Sequence, residues 1–234
     1  MPTTTSALSA KIKILFEDDI LIVIDKPAGL PTQATLDKTR PHVYGILQTQ
    51  LQAEHPGSYL ALHHRLDKDT SGVLLFCKDK SYNQKISDMF KQHQFEKIYL
   101  ALTEPGKAKK SWQVKNYLTE KPAPRSRRMS LHSVRSGGNL AITDFQLLET
   151  HKKGFLIEAR PRTGRMHQIR VHLAEAGLPI LGDDLYNTPQ GAAKAPRMML
   201  HAYRLVFPHP RTHESITVTS EPPKDFQNTL GKLD

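Results

Sequence analysis

The sequence predicts an α+β chain built on a mixed, mostly antiparallel sheet with flanking helices. Three observations carry this. Strand-like runs outnumber helical ones, several runs are joined by short turns, and no internal repeat or low-complexity linker breaks the chain. The 234 residues are enough to bury a real core, and although only 38% are hydrophobic, these fall in blocks.

Residues 1–10 are polar and Thr-rich and are expected to form a flexible tail, leaving 11–234 as a single domain. Residues 12–16 and 20–25 are two short β-rich runs, separated by Glu17-Asp18-Asp19 and ended by Lys26-Pro27-Ala28-Gly29. Residues 43–54 have helical spacing, with Ile46, Leu47 and Leu51 on one side. Residues 73–77 form a continuous apolar run that reads as a buried strand, and the lone cysteine, Cys77, reads as part of that core. Residues 81–94 read as an amphipathic helix with Ser81 as its N-cap, and 97–103 as a strand. Further strands are expected over 112–118, 129–134, 140–150, 155–160, 198–207 and 215–220, with Gly137-Gly138 as a hairpin turn. Residues 166–176 read as a helix capped by Gly177, and 223–233 as a short last helix.

Composition narrows the function. Lys and Arg number 33 against 23 Asp and Glu, a net charge of +10. The resulting field attracts polyanions, of which nucleic acid is the commonest. The segment 121–135 concentrates this charge, holding Lys121, Arg125, Arg127, Arg128 and Arg135 with no acid; it reads as a solvated loop or as an arm that contacts phosphates. One cysteine permits no internal disulfide, which fits a reducing cytosol. Neither a signal peptide nor a membrane helix is visible. Metal-ligand spacing and a Gly-rich phosphate loop are also missing, so no metal and no cofactor is expected.

Two segments hold chemistry. His64-Arg65-Leu66-Asp67-Lys68-Asp69-Thr70-Ser71-Gly72 packs acids, bases and hydroxyls directly before the buried strand. A turn that satisfies backbone donors accounts for Asp69 to Gly72 but not for Arg65 and Asp67. In the second segment, 160–172, four arginines lie within eleven residues. Arg170 falls on the apolar stripe of Met166, Ile169 and Leu173, where it needs either a carboxylate partner or a path to water. Arg162 and Arg165 sit at or before the helix start, where cations oppose the helix dipole, so an anion is expected to meet them.

The nine residues from His64 to Gly72 resemble the HRLDxxTSG signature of the RluA-type pseudouridine synthases. Asp25-Lys26-Pro27-Ala28-Gly29-Leu30, Lys97-Ile98-Tyr99-Leu100-Ala101, the run from Arg162 to His172 with Gly177 to Asp183, Leu200-His201-Ala202 and Pro208-His209-Pro210 resemble the family's other blocks, in family order. The resemblance implies the α+β pseudouridine synthase catalytic domain without an N-terminal S4 domain. It implies Asp67, Tyr99 and Arg170 as catalytic residues, with Asp67 essential, Tyr99 against the target base and Arg170 paired with Asp67. Arg65 would fill the gap left by a flipped uridine. His64, Thr70, Arg162, Arg165, His167 and Gln168, with Arg125, Arg127 and Arg128, are expected to bind the RNA. The implied partner is a ribosomal or transfer RNA stem-loop, met by a cytoplasmic monomer. Two other classes compete: a non-catalytic RNA-binding protein, which has no use for Asp67, Tyr99 and Arg170, and an RNA hydrolase using His63-His64 and His167.

Overall fold

The computed structural model describes residues 12–37, 39–122 and 129–234. In chain order its elements are β1 (Lys13–Glu17), β2 (Leu21–Lys26), α1 (Val43–Glu54), β3 (Ala61–Leu62), β4 (Ser71–Cys77), α2 (Asn83–Lys91), β5 (Glu96–Thr103), β6 (Ser111–Pro122), β7 (Met129–Val134) and β8 (Asn139–His151). They continue with β9 (Gly154–Pro161), α3 (Gln168–Glu175), α4 (Pro189–Ala192), β10 (Leu200–Pro208), β11 (Ser215–Thr219) and α5 (Lys224–Leu230). The chain divides into two compact units, Met1–Phe95 with Arg204–Ser220 and Glu96–Tyr203 with Glu221–Asp234. The expected tail and the arginines Arg125, Arg127 and Arg128 lie outside the described residues.

In the first unit β4 is buried along its whole length and pairs antiparallel with β2, from Leu21↔Cys77 to Lys26↔Gly72. β1 adds to β2, β3 pairs with Cys77 and Phe76, and the Arg204–Pro208 part of β10 pairs antiparallel with β11. A strand buried on both faces needs an unbroken apolar run, which 73–77 supplies. Ile20, Val23, Leu75, Ile86, Met89, Phe95 and Phe207 belong to the core here. Helix α1 buries Val43, Ile46, Leu47 and Leu51, the stripe its spacing predicts. The expected cap of the next helix is corrected. Asp79, not Ser81, is the cap: its Oδ1 accepts the Ser81 amide and the Ser81 hydroxyl, both at 2.8 Å, opening a short 3-10 turn before α2. The carboxylate outcompetes the hydroxyl because it can accept several donors at once.

The second unit contains the antiparallel run β5-β9-β8-β6-β7. Gly137, with φ +80°, turns β7 into β8 as the glycine pair predicts. Phe145, Ile157, Ile169, Leu173, Leu181, Met199 and Phe226 are among its buried residues. Helix α3 begins at Gln168, two residues later than its apolar spacing predicts. His167 takes a left-handed conformation (φ 52°), and the Gln168 side chain turns back to accept the Arg165 amide at 3.1 Å. The backbone before Gln168 therefore cannot continue the helix, although Met166 still packs against the apolar cluster of Leu118, Leu131, Ala141 and Val171.

Candidate active-site segments

Asp67 sits in a turn of the first unit that is clamped on both sides by the segment following β2. The Thr32 hydroxyl donates to the Leu66 carbonyl at 2.7 Å and accepts the Leu66 amide at 3.2 Å. The Lys68 carbonyl accepts the Gly29 amide at 2.9 Å and the Lys26 ammonium at 3.0 Å. Lys26 is fully buried and also donates to the carbonyls of Pro27 and Leu30, at 2.9 and 2.8 Å. Three carbonyls accept from its ammonium, which offsets much of the cost of burying a cation. The Asp67 carbonyl closes the turn by accepting the Thr70 amide at 3.2 Å. Leu66 and Thr70 are buried, Asp67 is half-buried and Arg65 is exposed. His64 accepts the Leu75 amide on Nε2 at 3.0 Å and stacks on Phe90 at 5.1 Å between ring centres, so one of its ring nitrogens is committed to the fold.

The second unit carries Tyr99 and Arg170. Tyr99 lies half-buried on β5 opposite Ala159 of β9. Arg170 is buried on α3 and pairs with Asp183: Nε donates to Oδ2 at 2.7 Å and Nη2 to Oδ1 at 2.9 Å. Asp183 also accepts the amides of Leu185 and Tyr186, at 2.9 and 3.1 Å. Burial pushes this carboxyl up, but Arg170 and the two amides outweigh it and hold it below the usual carboxylate range. The Tyr186 ring lies under the Arg170 guanidinium at 5.0 Å, and its hydroxyl accepts the Leu131 amide of β7 at 2.7 Å and meets His167 Nδ1 at 3.0 Å. Gly182, just before Asp183, has φ +76°, and a Cβ there would come within 1.8 Å of the Arg197 carbonyl, so only glycine fits.

A polar relay anchors α3 to the sheet. The Thr163 hydroxyl donates to Gln168 Oε1 at 2.7 Å, and Gln168 Nε2 donates to the Ile142 carbonyl and Thr143 Oγ1 at 2.9 and 2.8 Å. Thr143 Oγ1 lies 2.9 Å from His172 Nδ1, and His172 Nε2 lies 2.9 Å from Asn116 Oδ1. An amide oxygen only accepts, so Nε2 carries the proton and Nδ1 accepts from Thr143. Burial pushes His172 down to about 4, against a smaller upward pull from Glu175, and the ring is neutral.

The expected RNA-binding residues within the described part of the chain each have a place. Gln168 and Thr70 are buried, Gln168 within the relay. Arg162 pairs with Asp144 at 2.5 Å, so an anion does meet it. Arg165 donates to the Leu140 carbonyl at 3.0 Å and, among the described residues, has no carboxylate partner. His167 makes its contact with Tyr186. The sequence reading gave no role to Lys26, Thr32, Asp183 or Tyr186, although Lys26 and Asp183 fall in blocks that resemble the family's. A lysine at a strand end and a threonine in a loop look like surface residues, and Asp183 is 13 positions from the arginine it holds.

The features so far define a basic α+β chain with a clamped aspartate turn and a buried arginine–aspartate pair. The family model for RNA pseudouridylate synthase matches residues 20–175. The ribosomal large subunit pseudouridine synthase C of Haemophilus ducreyi is 32% identical over 228 residues, covering 94% of this chain and 68% of that protein. That of Rickettsia felis is 37% identical over 190 residues, covering 81% and 60%. The solved structure of human RNA pseudouridylate synthase domain containing 4 superposes with a TM-score of 0.77 at 28% identity, covering 94% of this chain and 92% of its own. The chain belongs to the RNA pseudouridylate synthase family, in its RluA-type branch. It is therefore an isomerase that acts on RNA. Among the described residues no helix is long and apolar enough to cross a membrane.

Proposed function

We propose that this protein converts specific uridines of a structured ribosomal RNA to pseudouridine, with Asp67 as the essential carboxylate. The observation that carries the reading is the turn around Asp67. Lys26, Gly29 and Thr32 fix its backbone on both sides while the carboxylate stays half-exposed. Such fixing is what a group needs if its position is to be ready before substrate arrives. The names of the Haemophilus and Rickettsia relatives support large-subunit ribosomal RNA as the substrate, and transfer RNA is the second class to test.

The reaction breaks the C1′–N1 bond, turns the uracil and joins C1′ to C5, after which C5 loses its proton and N1 takes one up. A base inside a stack cannot undergo this, so the uridine is flipped, and a stem-loop offers it at the lowest unstacking cost. Arg65, exposed beside Asp67, fills the space left behind. Tyr99 presents its ring to the uracil. Asp67 works ionised, as nucleophile or as base, and the reaction needs Arg170 as well. His64, Thr70, Arg162, Arg165, His167 and Gln168 shape or line the RNA path, and Arg125, Arg127 and Arg128 add phosphate contacts. The reading extends to a monomer acting in the cytoplasm.

Carbodiimide-dependent reverse-transcription stops on candidate RNAs provide the test. Wild-type protein should produce stops at defined uridines, and Asp67→Asn should produce none while still binding the same RNA. Stops at the wild-type rate with Asp67→Asn would remove Asp67 from the chemistry.

A further inference from the structure

Lys97 stands outside every role assigned above. It lies on β5 two residues before Tyr99, and alternate residues of a strand share a face. The two are about 6.8 Å apart along the strand, while Ile98 between them turns into the core. Lys97 is half-buried, and its Nζ comes within 3.7 Å of where a Cβ on Gly164 would stand. The ammonium therefore rests against the turn from Arg162 to Arg165. That Cβ position meets nothing else within 4 Å, so the ground beside the ammonium is open.

Three arginines of the same unit are matched by carboxylates: Arg160 by Glu158 and Glu96, Arg162 by Asp144 and Arg170 by Asp183, while the exposed Arg165 donates to the Leu140 carbonyl. Lys97 has no hydrogen-bond or ion-pair partner among the described residues, and burial alone pushes its ammonium below the usual lysine range. The exposed Gly164 amide likewise has no acceptor among them. A desolvated cation beside an open donor is unfavourable until an anion arrives, and then the contact is stronger than one made in water.

We propose that Lys97 binds a phosphodiester oxygen of the RNA, at the phosphate flanking the nucleotide whose base meets Tyr99. The spacing of Lys97 and Tyr99 on one strand face is on the scale of one nucleotide, a base at one end and its phosphate at the other. This assignment rests on the reading of Tyr99 given under Proposed function.

The test uses the full chain and an RNA that the wild-type protein converts, made both natively and with a neutral methylphosphonate at the flanking phosphate. Lys97→Met should bind the native RNA about tenfold more weakly at low salt. Its plot of log affinity against log salt should be shallower by about 0.7. Lys97→Arg, which keeps the charge, should recover most of both. The methylphosphonate should weaken wild type by a similar factor and leave Lys97→Met unchanged. The melting temperature of Lys97→Met should be no lower than wild type, because an unpartnered cation has been removed. An unchanged salt slope overturns the assignment, and so does a methylphosphonate that weakens both proteins equally. Conversion of the same RNA by Asp67→Asn would instead defeat the proposed function, while the phosphate contact would still be read from binding alone.

Discussion

Replacing Asp183 by asparagine tests how the helix carrying Arg170 is held. The amide oxygen can keep three contacts, from Arg170 Nη2 and from the amides of Leu185 and Tyr186. The amide nitrogen, however, would face Arg170 Nε across the present 2.7 Å, donor against donor, and the buried charge of Asp183 would be gone. Removing one partner of a buried ion pair costs about 3–5 kcal/mol, and the surviving contacts favour the lower end, about 3 kcal/mol. At about 2–4 °C per kcal/mol for a chain of this size, the melting temperature should fall by about 6–12 °C. Pseudouridine formation should fall further, by about a hundredfold, because a displacement of about 1 Å at a reacting group has that effect. Thermal unfolding followed by circular dichroism reads the first quantity and the reverse-transcription assay the second. The pH dependence adds a sign. The folded Asp183 carboxyl lies below its unfolded value, so its contribution is complete at neutral pH and is lost as pH falls through the folded value. The gap between wild type and variant should therefore persist from pH 7 to about 4 and close only below that. A melting temperature within 2 °C of wild type at pH 7, with the estimate above at about 6–12 °C, would refute the claim that this pair holds Arg170.

Two further predictions follow from the same geometry. His172 is held to about 4 when folded and returns to its ordinary value on unfolding, so the unfolded chain binds the extra proton between those limits. Stability should be level above about pH 6.5 and fall below it, by about 2 kcal/mol at pH 5; denaturant unfolding at pH 7 and 5 measures this, and a His172→Gln variant that kept the slope would assign it to another group. Thr32→Val removes the hydroxyl that serves both backbone groups of Leu66. It should destabilise by about 2 kcal/mol or more and lower kcat more than RNA affinity, since it loosens the Asp67 turn; equal kcat at saturating RNA would show that the turn needs no such clamp.

The strands and α1 were legible because their signal is local. An unbroken apolar run gives β4, and Ile46, Leu47 and Leu51 at helical spacing give α1 with the bounds its sequence predicts. Gly137 announced its turn by being glycine. The start of α3 was misjudged because Met166 continues the apolar stripe, and nothing in a histidine announces the left-handed backbone that ends it at His167. Ser81 was misjudged as a cap because a better acceptor, Asp79, stood two residues earlier. Of the candidate site, Asp67 and Arg170 stood out as residues that local chemistry left unexplained. Their supports did not stand out. The contacts from Thr32 to Leu66 and from Lys26 to Lys68 cross 34 and 42 positions, and pairings at that distance depend on the sheet rather than on any local pattern.

The burial of cations separates structural from substrate-facing roles better than residue type does. Lys26, Arg170 and Lys97 all sit where water is scarce, and each must lose hydration to be there. Lys26 recovers it from three carbonyls and fixes a turn. Arg170 recovers it at least in part from Asp183, which accepts from Nε and Nη2. Lys97 recovers none among the described residues. The unfavourable energy of an unmatched cation persists in a fold only when something outside the fold relieves it, and for a basic isomerase acting on RNA that relief is the polyanion itself. The same reasoning predicts opposite signs on stability for two substitutions that remove a positive charge: Lys26→Met should destabilise the protein by leaving three carbonyls short of a donor, whereas Lys97→Met should not.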